Sequence, residues 1–183
     1  MSTLSFVLSP MRAIETSQLT LEPQLAVHAE AMFAVLSDPA IYEFENAPPA
    51  SLDSLRSRFG KLESKQSRDG SEQWLNWVVR LGSNELIGYV QATVRGDASA
   101  MIAYEFASAY WGRGLASQAV AAMLGELVLQ YQTHEFWALL KRENQRLKRL
   151  LDRLGFALAS GEQHVKHAAE TDEALTHRFA TWP

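Results

Sequence analysis

The chain has 183 residues, 47% of them hydrophobic, with five tryptophans and no cysteine. This length and composition predict one folded domain with its own hydrophobic core. The absence of cysteine excludes disulfides, thiolate catalysis and cysteine-ligated zinc sites, and it fits a reducing compartment. The formal net charge of −4 provides no broad attraction to nucleic acid or to a membrane. Neither a membrane span nor a signal peptide is indicated, so we expect a soluble, cytoplasmic protein.

Periodicity along the chain predicts strands that alternate with helices. Residues 1–15 are expected to form a lead-in, and residues 16–183 a single domain. Glycine, proline and polar turns separate the elements, and Gly88 inside a strand predicts a bulge or a close backbone approach. The predicted strands are 19–22, 74–81, 86–95, 101–106, 136–140, 156–158 and 174–182, and the predicted helices are 25–36, 51–66, one after Gly114 and one before Gly155. This order predicts a mixed α/β fold with helices on both faces of the sheet.

The most informative stretch begins at Met101 and is predicted as strand, glycine turn and helix. Two glycines two residues apart, directly before a helix, let backbone N–H groups converge where the helix dipole is positive, which favours phosphate. Glycines at such a break are also ordinary turn residues. The turn reads Tyr110-Trp111-Gly112-Arg113-Gly114-Leu115-Ala116-Ser117. The buried stripe of the helix is expected to comprise Val120, Met123, Leu124, Leu127, Val128 and Tyr131.

This turn resembles the acetyl-CoA pyrophosphate loop of the GNAT N-acetyltransferase superfamily. In that loop's pattern, Gln/Arg-x-x-Gly-x-Gly/Ala, Trp111 takes the first position, Gly114 the fourth and Ala116 the sixth. The form Tyr-Trp-Gly-Arg-Gly-Leu-Ala is typical of the branch that acts on ribosomal-protein N-termini. Two further segments resemble that branch, Asn144 with Leu154-Gly155-Phe156 and the opening Thr16-Ser17-Gln18-Leu19-Thr20-Leu21, where Gln18 replaces an arginine.

The resemblance implies the GNAT acyl-CoA N-acyltransferase fold, with a predominantly antiparallel sheet, acetyl-CoA as the acyl donor and no metal. It implies that backbone groups after the strand pair with the pantetheine arm, and that Asn144 hydrogen-bonds this arm. A helix N-cap is an equal interpretation of Asn144. The basic residues from Lys141 onward form a solvated helix face or, in part, meet the coenzyme's 3′-phosphate. The expected coenzyme-binding residues are Phe106, Ala107, Ser108, Trp111, Gly112, Arg113, Gly114, Leu115, Ala116, Ser117, Asn144 and Lys148.

Glu105 is the expected general base, because an amine must lose a proton to attack a thioester and burial would raise the pKa of this carboxyl. The alternative is that Glu105 lies near solvent at the open end of the strand, or pairs with an arginine. A backbone N–H near Ala107 is the expected oxyanion donor. The branch has a serine as general acid three residues after the asparagine, where this chain has Leu147. Tyr104 and Tyr110 are the candidate replacements.

The leading hypothesis is therefore an acetyl-CoA-dependent N-acetyltransferase that acts on a primary amine, either a protein N-terminus or a small amine, by direct attack in a ternary complex. We expect a monomer or homodimer that binds neither nucleic acid nor membrane. Because Leu147 replaces the acid serine, a non-catalytic CoA-binding or sensor protein is the alternative. A dinucleotide-binding oxidoreductase is a third hypothesis, since Gly112-x-Gly114-x-x-Ser117 approaches G-x-G-x-x-G/A, with Glu135 further on.

Other polar residues carry less specific signals. The spacings of the histidines match no metal motif, and we expect them to be surface residues. Phe44, Glu45 and Trp77 are candidates for the acceptor side of the site. The histidines concerned are His134, His164, His167 and His177.

Overall fold

The computed structural model describes residues 10–44 and 46–180, and within them eight strands form one sheet. The strands are β1 (Ile14–Glu15), β2 (Leu19–Pro23), β3 (Glu72–Leu81), β4 (Leu86–Arg95), β5 (Ser99–Phe106), β6 (Glu135–Lys141), β7 (Ala157–Leu158) and β8 (Glu173–Phe179). The helices are α1 (Ala29–Leu36), α2 (Leu52–Leu62), α3 (Leu115–Tyr131), α4 (Gln145–Arg153) and α5 (Gly161–Lys166), with short 3₁₀ segments at Ala26–His28, Pro39–Tyr42 and Ser108–Tyr110.

The strand order is β1-β2-β3-β4-β5-β6-β8-β7, and every pairing between the described strands is antiparallel except β5 with β6. Helices α1 and α2 pack on one face against Val78 and Leu86. Helices α3 and α4 pack on the other face against Val79, Val90 and Ile102. The predicted α/β fold is confirmed, and the sheet is not the doubly wound parallel sheet that a dinucleotide-binding oxidoreductase needs.

The early helices are shorter than predicted. Helix α2 begins at a capping box, in which Ser51 Oγ accepts from the Ser54 N–H at 3.1 Å, and buries Leu55 and Phe59. It ends at residue 62 rather than 66, because the chain reverses through a left-handed residue, Lys65, at φ 57°. The start predicted for α1 is wrong as well: residues 26–28 form a 3₁₀ turn, and Leu25 before it is 41% exposed.

Gly88 lies where β5 passes close to β4. A Cβ built on Gly88 would lie 2.9 Å from Phe106 Cγ and 3.0 Å from Phe106 Cα. The register between β3 and β4 also shifts next to this position, at Val79 and Arg80. The predicted bulge or close approach is confirmed, and it fixes the strand that carries Glu105.

The C-terminal region differs from the prediction in two ways. Helix α5 gave no periodic signal, because it is one short capped turn that begins after Ser160. Strand β8 ends at Phe179, and the rest of the predicted tail strand, up to residue 182, lies partly outside the described residues.

The expectation that the histidines are surface residues is correct only for His134, which is exposed. Trp137 is 3% exposed and is stacked by two half-buried histidines, with ring centroids 4.3 Å from His167 and 5.2 Å from His177. His164 Nε2 accepts from the Leu175 N–H at 3.0 Å. These three side chains therefore stabilise the packing of α5 against β6 and β8.

The expected lead-in lies partly in residues 1–9, which are outside the described part of the chain, and its last residues join the sheet as β1. Arg12 donates two hydrogen bonds of 2.8 Å to Glu126, which is 5% exposed in α3. Trp77 Nε1 donates to the Arg12 carbonyl at 3.1 Å and is fully buried, so it belongs to the core and not to an acceptor site. Within the described residues, no helix has the length and apolarity to cross a membrane.

Candidate active site

Strands β5 and β6 separate after a short parallel contact. They pair only through residues 99–101 and 135–137, and the later half of β5 has no strand beside it on that edge within the described chain. On the other edge, the Ala107 N–H donates to the Ile87 carbonyl of β4 at 3.0 Å. Because hydrogen-bonded and non-bonded pairs alternate in antiparallel sheets, the backbone groups of Tyr104 and Phe106 point into the gap.

The glycine turn ends at the same gap and presents unpaired N–H groups. Gly112 and Gly114 adopt left-handed φ angles of 74° and 77°, which side chains disfavour. The Gln118 N–H donates to the Gly114 carbonyl, so the N–H groups of residues 115–117 precede the first intrahelical bond, and no side chain caps α3. Such a helix start is an anion site.

A cavity of about 460 Å³ runs from this turn to the gap, and we call it the loop-side cavity. Four of the expected coenzyme-binding residues, Ala107, Ser108, Arg113 and Lys148, do not line it. Asn144 Oδ1 accepts from the Leu147 N–H at 3.0 Å, so this residue is an N-cap that also faces the cavity. The predicted residues that line it are Glu105, Phe106, Trp111, Gly112, Gly114, Leu115, Ala116, Ser117 and Asn144.

Two arginines of α4 line the loop-side cavity, and neither was among the expected coenzyme-binding residues. The Arg146 guanidinium carbon lies 3.4 Å from the centroid of the Trp111 ring. Arg153 Nη2 lies 3.5 Å from Ser117 Oγ. They are seven residues, about two helical turns, apart, and this spacing was the available sequence signal that the two side chains share one face of α4. Lys148 points elsewhere and pairs with Asp152 at 2.7 Å.

The chain after β5 is held by its own hydrogen bonds. Trp111 Nε1 donates to the Phe106 carbonyl at 2.9 Å, and the Ser108 N–H donates to Asp38 Oδ2 at 2.8 Å. Hydrogen bonding from the side chain and the backbone N–H of Ser108 lowers the pKa of the Asp38 carboxyl. The Ala107 N–H is itself bonded to Ile87, so of the backbone donors near Ala107 it is the neighbouring Phe106 N–H that faces the gap.

A second cavity, of about 510 Å³, lies on the face of the sheet beneath α2, and we call it the α2-side cavity. Phe44 lines the loop-side cavity instead, and Glu45 lies outside the described residues. The two cavities meet at four residues that line both, Asn46, Tyr104, Glu105 and Leu147.

Glu105 lies among phenols at this junction. It is half-buried, on the face of β5 opposite Tyr104. Burial, followed by the charge of Glu105 and a hydrogen bond to it, raises the pKa of Tyr89. Burial and the same charge raise the pKa of Tyr42 to about 12. Both phenols therefore stay neutral around Glu105 at physiological pH.

Tyr104 places a phenol at the same junction. Burial raises its pKa, and the charges of Arg146 and Arg153 partly oppose that effect. Its ring packs edge-on to Phe106, with centroids 6.0 Å apart. No hydrogen bond to its hydroxyl is found within residues 10–44 and 46–180. Leu147 beside it packs on the core and offers no proton.

Residues 18–157, well over half of the chain, match the family model described as an acetyltransferase (GNAT) domain. A GNAT acetyltransferase from Bacillus anthracis is 21% identical, with a TM-score of 0.72, and the match covers 92% of this chain and 98% of that chain. RimL, the ribosomal L7/L12 alpha-N-protein acetyltransferase in complex with coenzyme A, is 16% identical, with a TM-score of 0.78 and the same coverages.

A chimera of the spermidine N-acetyltransferase SpeG from Vibrio cholerae and hSSAT is 22% identical, with a TM-score of 0.71, and the match covers 89% of this chain and 96% of that chain. No curated protein matches the chain. The solved structures show the fold, whereas the domain match assigns the family. The predicted superfamily is confirmed, and the chain belongs to the GNAT acetyltransferase family.

Proposed function

We propose that this protein is an acetyl-CoA-dependent N-acetyltransferase that moves the acetyl group to a primary amine in a ternary complex. The observation that carries the proposal is the meeting of two cavities at Glu105, one of which ends at an anion-binding helix start. RimL, a similar structure, was solved with coenzyme A, which supports the same donor here.

The loop-side cavity is proposed to hold the coenzyme. The N–H groups of residues 115–117 bind the diphosphate, with Arg146 and Arg153 supplying positive charge beside it. The pantetheine arm lies along the open edge of β5, where the backbone N–H and C=O of Tyr104 are available. The side-chain amide of Asn144 donates to the same arm, while its oxygen caps α4.

The acceptor amine is proposed to enter from the α2-side cavity. Its nitrogen attacks the thioester carbonyl carbon and loses a proton to Glu105, directly or through one water. The Phe106 N–H, which faces the gap, stabilises the oxyanion. The carbon–sulfur bond then breaks, and the Tyr104 hydroxyl donates a hydrogen bond to the leaving thiolate. The thiolate leaves without full proton transfer, because free thiols have a pKa of about 8.5.

Coenzyme A release tests the function. The protein is incubated with acetyl-CoA and a panel of amines and peptides, and the free thiol is followed with a thiol reagent; the chain has no cysteine to react. We expect release with at least one acceptor, and Glu105→Gln should lower kcat by about a hundredfold or more. Glu162→Gln, an exposed change on α5, is the control. No release with any acceptor, despite bound coenzyme, contradicts the proposal.

A non-catalytic CoA-binding or sensor protein is the second candidate, favoured by Leu147 at the junction of the two cavities. Acetyl-CoA at about 100 times its dissociation constant should stabilise either kind of protein by about 2.7 kcal/mol, whereas NAD should not. Leu147→Ser separates the two functions. An activity that appears only in this variant supports the sensor, and an activity already present in the parent supports the enzyme.

A further inference from the structure

Tyr89 of β4 lies directly opposite Glu105 in the sheet. The two residues are paired in the antiparallel register of β4 and β5, so their side chains project from the same face, at a Cβ separation of about 5 Å. Both side chains line the α2-side cavity. The Tyr89 hydroxyl donates a hydrogen bond to the Glu105 carboxylate. This contact joins the proposed base to the neighbouring strand.

Packing holds the Tyr89 ring in place. The ring packs on the hydrophobic cluster that α1 and α2 form with the sheet, which includes Phe59, Val78 and Leu86. Val78 is also the partner of Tyr89 across β3 and β4, so it lies in the same row of the sheet. A donor on a ring fixed by packing restricts the group that it binds, because its own rotamer is restricted.

Tyr89 serves Glu105 as a donor and not as a second base. Burial, followed by the charge of Glu105, raises the pKa of the Tyr89 hydroxyl, and the charge of Arg58 opposes this only in part. The phenol therefore keeps its proton at physiological pH, and Glu105 is the member of the pair that takes a proton from the acceptor. A hydrogen bond to the charged form of a carboxyl group favours that form.

Tyr42 is a second phenol close to Glu105, but it is bonded elsewhere. It lines the same cavity, and burial, followed by the charge of Glu105, raises its pKa to about 12. Its hydroxyl proton is donated to the Leu36 carbonyl at 2.8 Å. The two tyrosines thus share the cavity and the nearby charge, and they differ in whether the hydroxyl is bonded to Glu105.

We propose that Tyr89 is a positioning residue for acetyl transfer, which holds the Glu105 carboxylate in the orientation from which it takes the proton of the acceptor amine. The inference rests on the proposed function, since Glu105 is the base in that reaction. It adds to that function a residue of the neighbouring strand through which the orientation of the base, and the pH range in which it works, are set.

Tyr89→Phe tests the inference through the pH dependence of kcat/KM. Without this hydrogen bond Glu105 keeps its proton to higher pH, so the acidic limb of the profile should move up by about 0.5–1 pH unit, and kcat should fall by about threefold to tenfold. The titration of the acceptor amine is common to both proteins and cancels in the ratio of their rates, which should grow as the pH falls. A limb that coincides with that of the parent overturns the inference and leaves acetyl transfer intact.

The other groups around Glu105 stay the same in this comparison. Among the described residues, the other titratable and charged side chains that line the α2-side cavity are Tyr42, Arg58 and Tyr104, and α4 adds Arg146 and Arg153 from the loop-side cavity. Tyr42→Phe is the matched control, because it removes a hydroxyl from the same cavity without removing a bond to Glu105. Its acidic limb should stay at the pH of the parent.

A double-mutant cycle distinguishes positioning from a general effect on packing. If Tyr89 acts through Glu105, then Tyr89→Phe should change kcat by less than about twofold when Glu105→Gln is already present. The same threefold to tenfold loss in that background would mean that Tyr89 acts independently of Glu105, and it would overturn the inference.

A titration followed by NMR provides a readout that does not depend on turnover. Glutamate carboxyl carbons are labelled with ¹³C, and the Glu105 resonance is assigned by its loss in Glu105→Gln. Its midpoint should be higher in Tyr89→Phe than in the parent and in Tyr42→Phe. If no acceptor releases coenzyme A, this shift still supports the hold of Tyr89 on Glu105 although the transferase proposal then fails, whereas an unchanged midpoint overturns it.

Discussion

We propose for Tyr104 a chemical role that the family resemblance places elsewhere. The resemblance puts an acid three residues after Asn144, and this chain has a leucine there. The phenol of Tyr104 lines both cavities from the neighbouring strand. Burial raises its pKa, so it serves better as a hydrogen-bond donor to sulfur than as a proton source.

Tyr104→Phe is expected to lower kcat by about tenfold to a hundredfold, with little change in KM for acetyl-CoA, because one donor to the leaving sulfur is lost. Steady-state kinetics measures the split. Adding Leu147→Ser to this variant should restore part of the loss. Tyr131→Phe removes a hydroxyl that is buried without a partner at the end of α3 and should leave kcat unchanged. An equal kcat for Tyr104→Phe and the parent would contradict the role.

Local sequence predicts some of these residues and misses others. The glycine turn and Asn144 carry their signal in short spacings, because a helix start and an N-cap are local structures. Asp38, Arg58 and Tyr89 lie far from Glu105 in sequence and reach the site only through tertiary packing. No spacing connects them.

An alanine variant in the turn before α3, compared with one in a turn elsewhere, distinguishes a loss of ligand binding from the effect of backbone strain. Gly114→Ala forces a side chain into left-handed φ, at a cost of about 1 kcal/mol. The added Cβ enters open space beside the N–H groups of residues 115–117, where the diphosphate is proposed to bind. Gly70 has a similar φ of 72° and open space around it, in a turn outside both cavities. We expect both alanine variants to lose similar stability and only Gly114→Ala to lose coenzyme affinity, measured by calorimetry. Similar coenzyme affinity in both variants would contradict the proposal that the turn before α3 binds the diphosphate.

Gly88 in β4 and Gly125 in α3 provide a second pair of glycine-to-alanine variants. Gly88→Ala cannot fit without moving β5 and should destabilise the protein by about 1–3 kcal/mol, with reduced activity because Glu105 shifts. Gly125→Ala is exposed within α3, meets nothing within 4 Å and should stabilise by about 0.5–1 kcal/mol. Denaturant unfolding measures both changes. A Gly88→Ala variant as stable as the parent would contradict the close approach.

Elements with a long apolar repeat were predictable, and short ones were not. Helix α3 buries Val120, Met123, Leu124 and Leu127 as its spacing predicts. Helix α5 has six residues and no buried side chain, so its sequence contains no stripe to detect. Its existence depends on the caps and on contact with the sheet.

Two histidines make the stability of the whole protein depend on pH. Burial lowers the pKa of His28 and of His167 below the ordinary 6.5. The unfolded chain therefore binds protons before the folded protein does, so stability falls as the pH drops below about 6.5 and is unaffected by these groups above it. Denaturant midpoints between about pH 7.5 and pH 5.5 measure this slope. His28→Gln combined with His167→Gln should flatten the slope, and an unchanged slope would contradict the assignment.

The layer architecture was predictable from the order of helices and strands, but the separation of β5 from β6 was not. Each strand has an ordinary β pattern, and nothing in either pattern limits their pairing to residues 99–101 and 135–137. The junction of the two cavities is a property of the assembled sheet.

The separation of β5 from β6 should be detectable by amide hydrogen exchange. Along β5, the amides of Ala103 and Glu105 are bonded to β4, whereas those of Tyr104 and Phe106 face the gap. Deuterium should therefore enter alternate positions of this one strand quickly in the free protein. Occupation of the open edge by the pantetheine arm would slow the fast pair and leave the slow pair unaltered, so a bound coenzyme would behave as a missing strand of the sheet.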